Sequence, residues 1–143
     1  MKSLIIFSSM SGNTEELANK MKDVLEKYEH EVVVLRDKKL KSQLKENEDF
    51  LAAYDLLCLG SCTHADAPSS GIKRVVKAVA EKKLQNKKLL CFGTSGGPTN
   101  WKNACKRIQE ALPDFEHVGD VGCLERENED TINDFEELVK NLK

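Results

Sequence analysis

The sequence predicts an α/β fold, a doubly wound parallel sheet of five strands with helices on both faces. Three observations predict it. Apolar runs recur along the 143 residues. Amphipathic stretches of helical period separate them. Three of the runs end abruptly in loops of serine, threonine and glycine. Alternating β and α elements at this spacing build a parallel sheet between two helical layers.

The first strand is Ser3–Ser8, SLIIFS, an apolar run. Glu31–Arg36, EVVVLR, is β-branched, and Asp55–Ser61, DLLCLGS, and Lys88–Thr94, KLLCFGT, are again apolar. Runs without polar alternation belong to strands buried on both faces. A weaker fifth strand lies near Glu116–Glu125. Between them, a 3.6-residue period marks four helices. Leu17, Ala18, Met21, Val24, Leu25 and Tyr28 form the first apolar face. Ile72, Val75, Val76 and Val79 form the next, and Ala104, Ile108, Ala111 and Leu112 another. Ile132, Phe135, Leu138, Val139 and Leu142 form the last. Asp37–Ala53, rich in lysine and glutamate, leaves room for one short helix before the third strand.

Length fits a single domain, residues 1–143. A hydrophobic fraction of 40% and a charged fraction of 32% are those of a soluble globular chain. The net charge of −2 gives no basic surplus for nucleic acid. No apolar run approaches the roughly 18 residues of a membrane span. The start, MKSLIIFSS, has too short an apolar core for a signal peptide and reads as a buried strand. Five cysteines, an odd number, are scattered. Cys58, Cys91 and Cys123 sit in strand-like runs and Cys105 in a helical one, positions of small core residues. A reduced, cytoplasmic setting is the expectation.

In such folds ligands bind beyond the carboxyl ends of the strands, so the loops after Ser8, Gly60 and Gly93 matter most. In the first, Ser9-Met10-Ser11-Gly12-Asn13-Thr14, Asn13 is expected to cap the helix, with Glu16 completing a capping box. Capping leaves Ser9, Ser11 and Thr14 around Gly12 unexplained. Hydroxyls and helix N-terminal amides together make a phosphate cradle. The nucleotide-binding motifs G-x-x-x-x-G-K-[ST] and G-x-G-x-x-G are both absent.

This loop resembles the [TS]-x-[TS]-G-x-T phosphate loop of the flavodoxin family, with Glu15 as a common follower. The segment YDLLCLGS before the second loop resembles that family's approach to its flavin. The resemblance covers nearly the whole chain and implies a short-chain form with strand order 2-1-3-4-5. It implies that Ser9 to Thr14 hold the phosphate of FMN. Ser61, Cys62, Thr63 and His64 would line the flavin ring and ribityl chain. Thr94, Ser95, Gly96 and Gly97 would offer backbone contacts, and Trp101 would stack on the ring. On sequence alone Trp101 reads equally well as a packing aromatic at a helix start. No catalytic residue or metal ligand is expected; Cys62 and His64 have no clustered partners in the sequence.

Two departures stand out. Gly60–Gly71 contains no aromatic, and Ser61–Ser70 no glycine, whereas many relatives have a glycine whose peptide turns over when flavin N5 gains a proton. The near-neutral charge also differs from the acidic surface common in the family. The implied function is electron transfer between redox protein partners, without nucleic acid or membrane. An FMN-dependent reductase of a small substrate such as a quinone, and a cofactor-free interaction domain, are the alternatives.

Overall fold

A computed structural model describes residues 1–10, 12–64, 67–96, 100–124 and 128–142, without the side chains of His64 and Asn100. The chain runs β1 (Lys2–Ser8), α1 (Asn13–Lys27), β2 (Glu31–Arg36), α2 (Leu40–Glu46), β3 (Leu56–His64), β4 (Ala67–Pro68), α3 (Ser70–Glu81), β5 (Lys88–Ser95), α4 (Asn100–Ala111), β6 (Glu116–Leu124) and α5 (Glu129–Lys140). Short 3-10 turns, Asp37–Lys39 and Phe50–Ala53, flank α2. The short helix expected in Asp37–Ala53 is therefore present.

The long strands are parallel in the order β2-β1-β3-β5-β6. Counting long strands alone, this is the expected 2-1-3-4-5. Their side chains alternate between two cores. Leu4, Ile6, Leu57, Leu59, Leu89 and Cys91 face one layer, which α3 and α4 complete with Ile72, Val75, Val79, Cys105 and Ile108. Ile5, Phe7, Leu56, Cys58, Leu90 and Phe92 face the other, filled by Leu17, Met21 and Leu25 of α1 and by Phe135 and Val139 of α5. Each fully buried large apolar side chain contributes about 1.5–3 kcal/mol. That is why the central strands lack polar alternation, while edge strand β2 has only exposed and half-buried positions.

The strand order reverses between β1 and β3, so their carboxyl ends open a crevice. Ser8 and Ser61 are paired there. One difference from the sequence reading lies beside it. β3 runs on to His64 and the chain folds back as β4, pairing Thr63 with Pro68 and His64 with Ala67. The second loop is thus partly a small antiparallel ribbon.

Candidate functional site

The first loop turns on Gly12, whose φ of 91° lies in the left-handed region where glycine is favoured. A Cβ there would meet nothing within 4 Å. Gly12 is the N-cap of α1, and among the described residues no side chain caps this helix. The expected Asn13 cap is corrected: Asn13 is already the first helical residue, because the glycine turn delivers the chain into the helix one residue earlier. Ser9 Oγ accepts from Gly12 N at 3.0 Å, which tightens the turn. Helical geometry gives the next amides, of Asn13, Thr14 and Glu15, no partner within the helix. Met10 stands 80% exposed at the loop's outer edge. Ser11 lies outside the described residues.

Thr14 is buried and does not cap its own helix. Its Oγ1 meets Thr94 Oγ1 of β5 at 2.7 Å, tying the first loop to the third. Two hydroxyls in one bond share one of their two hydrogens, so the pair retains a donor. Arg36, at the end of β2, is placed over Phe7 at 5.2 Å and pairs with Glu15 at 2.7 Å. The cation nearest the loop in these contacts is thereby matched by a carboxylate.

In the second loop, Ser61 is fully buried. Its Oγ donates to the Cys62 carbonyl at 2.6 Å and accepts from Ser69 N at 2.8 Å. Its hydroxyl is engaged in pinning β3 to the start of α3. Cys62 and Thr63 are half-buried. Thr63 Oγ1 is buried without a hydrogen-bond partner, a costly state for a hydroxyl. His64 is placed by its pairing in β4, but its side chain lies outside the described residues.

Ser8 and Ser69 were not legible as site residues. Their hydroxyls bond one another, joining the end of β1 to the N-cap of α3. Ser69 Oγ also accepts from Ile72 N at 3.3 Å. A serine three residues before the first apolar helix position is the signal that finds it.

In the third loop, Thr94 and Ser95 are buried and Gly96 is exposed, with open space where a Cβ would stand. Gly97 lies outside the described residues. Trp101, on the first turn of α4, is half-buried and packs against the α3–α4 core. Its indole lies on Gly122 of β6, and its Cβ would be 3.1 Å from a Cβ at Gly93. Lys102 Nζ sits 5.6 Å from the ring centroid. These are packing contacts, made by the wall of the third loop.

All five cysteines carry thiols. Burial pushes the Cys58, Cys91 and Cys105 thiols well up, which keeps them protonated while no metal is bound. His30 and His117 stand at the opposite, amino ends of the strands. Grooves of about 550 Å³ between α2 and α3, and about 280 Å³ between α3 and α4, run along helix faces and touch the second loop only at Gly71 and Pro68 respectively. Convergence of hydroxyls, an open helix N-terminus and open glycine positions distinguishes the crevice from both.

A family model described as a flavodoxin domain matches residues 4–143. The "Probable flavodoxin 1" of Bacillus subtilis (strain 168) is 28% identical over 108 residues, covering 75% of this chain and 63% of that protein. The chain thus spans less than two thirds of that relative. Oxidised Flavodoxin 2 from Bacillus cereus is 26% identical, with a TM-score of 0.81, covering 98% of this chain and 96% of that one. Rubredoxin oxygen:oxidoreductase from Desulfovibrio gigas has a TM-score of 0.84 at 16% identity; 97% of this chain matches 34% of that one, a likeness of fold alone.

Proposed function

The chain belongs to the flavodoxin domain family, and from that premise we propose that it binds FMN and carries electrons between redox proteins. The observation that carries this reading is the first turn of α1. Among the described residues its amides have no side-chain cap, and they follow a hydroxyl-rich loop at the switch point. A phosphate there is favoured by the helix dipole and by direct N–H donors.

The residues present fit the cofactor. Thr63 Oγ1 is a buried hydroxyl lacking a partner, which a ribityl or ring polar atom would supply. Gly12 and Gly96 leave open space on two sides of the crevice. In this reading Ser9, Met10, Ser11, Gly12, Asn13 and Thr14 form the phosphate loop. Cys62, Thr63 and His64 border the ring, with Thr94, Ser95, Gly96 and Gly97 opposite. Ser61 and Trp101 hold these loops from beneath. When bound, FMN supplies the electron-transfer chemistry. The chain binds and orients it, and sets how much water reaches it. The backbone at Thr63 and His64 is fixed by pairing with Pro68 and Ala67, so reorienting a peptide there would cost ladder hydrogen bonds.

Fluorescence titration tests the reading. Tight FMN binding, with riboflavin bound more weakly, is expected. No quenching by FMN would end the proposal. Turnover of a quinone with NAD(P)H alone would move the assignment to a reductase.

A further inference from the structure

We propose that Cys91, His117 and Asp120 form a Zn²⁺ site at the β5–β6 edge, separate from the three loops. Their ligand atoms all lie within 4.8 Å of one another. Among the described residues they are the one such group of three. They come from two adjacent strands and a single face of the sheet, and a local irregularity explains how.

In a regular strand, residues three apart point to opposite faces. His117 and Asp120 do not. The pairing of β5 with β6 slips between Leu89 and Leu90: Leu89 faces His117, but Leu90 faces Gly119. The extra residue is a β-bulge, which re-aims the side chains on one side of it. His117 therefore shares a face with Asp120, and Nε2 reaches Oδ1 at 3.0 Å. Cys91 is paired directly with Asp120 and brings a thiol beneath the two.

The donor set is one sulfur, one imidazole nitrogen and one carboxylate oxygen, the types that Zn²⁺ takes. Ligands of a tetrahedral Zn²⁺ held at about 2.0 Å stand roughly 3.3 Å apart. The His117–Asp120 separation is already close to that. Binding exchanges the Cys91 thiol proton for the metal, and the proton leaves to solvent. Thiolate and carboxylate then balance the two positive charges, so no net charge is buried beside the core. Gln109 of α4 donates from Nε2 to both Asp120 oxygens at 2.6 Å, the kind of outer contact that orients a metal-binding carboxylate. His117 and Asp120 are half-exposed and leave an entry path, while Cys91 closes the site from inside.

Such a metal would staple β6 to its neighbour. The test is Zn²⁺ competition against a chromophoric chelator, with Co²⁺ absorption as the spectroscopic probe, on the full chain. One Zn²⁺ per chain is expected, weakened at least tenfold in His117→Ala and in Asp120→Asn. Bound Co²⁺ should show a thiolate charge-transfer band that survives Cys62→Ser and is lost in Cys91→Ser. No Zn²⁺ binding, binding unchanged by His117→Ala, or a band lost in Cys62→Ser would overturn the site. His117 lies at the surface, so its variant remains readable even if Cys91→Ser fails to fold. Loss of the flavin reading would leave this result untouched, because the three ligands are not in the loops.

Discussion

α1 and α5 both begin after a strand of the same sheet, yet their first turns are finished in opposite ways. At α5, Asn128 Oδ1 accepts from Thr131 N at 2.8 Å, and Thr131 Oγ1 donates to the Gly122 carbonyl at 2.9 Å. A first-turn amide is thus capped by the side chain of the helix's own N-cap residue. At α1 the N-cap is Gly12, which has no side chain to offer. The threonine of its first turn reaches across to Thr94 instead. Both helices carry acidic residues in the first turn, so charge does not separate them. Capping does. A helix start serving only stability closes on itself, whereas one serving a ligand leaves its amides to be completed from outside.

The largest expected effect breaks the open start. Thr14→Ala should weaken FMN by about 1.5–3 kcal/mol, the worth of a hydrogen bond to a charged group, and barely change riboflavin. Parallel fluorescence titrations with the two ligands decide it. Equal losses would mean that the phosphate lies elsewhere.

Next comes the turn itself. Gly12→Ala adds a methyl that collides with nothing, so its cost is purely conformational. A non-glycine residue in the left-handed region costs about 1–2 kcal/mol, to be read as a lowered urea midpoint of the protein without ligand. Unchanged stability would show that the turn relaxes and that the φ of Gly12 is not imposed by the fold.

The closed start gives the reciprocal result. Asn128→Ala removes a side-chain cap, worth about 1 kcal/mol. Stability should fall, while the ratio of FMN to riboflavin affinity stays as it was. A shift in that ratio would end the division of labour between the two helices.

The sequence carried the fold because burial is written in runs and periods. Leu4 to Phe7, Leu56 to Leu59 and Leu89 to Phe92 are apolar for the same reason that they are central. The site was legible as three loops but not as a set of partners. Ser61 looks like a ligand-facing hydroxyl, and it also bonds Ser69 N and the Cys62 carbonyl. Those contacts depend on how far β3 runs before it folds back, and β4 is only two residues long. The Thr14–Thr94 bond spans 80 positions; no local pattern records it. Asn13 reads as a cap because Asn is a strong N-cap residue, but the glycine before it supplies the turn geometry that the cap would have served.

The smallest effect lies at the other end of the sheet, where His30 sits at the entry to β2. Its Nδ1 meets Ser3 Oγ at 2.8 Å, and burial lowers its pKa below the ordinary value. The unfolded chain then binds a proton more readily than the folded one. Stability is unaffected above the unfolded pKa of about 6.5, and it falls as pH drops from there through the lower folded value. His30→Gln should flatten that slope in urea titrations between about pH 7 and pH 5. The FMN-to-riboflavin ratio at pH 7 should not move. If His30→Gln changed that ratio, the two ends of the sheet would be coupled, and the open start of α1 could no longer be treated as a local device.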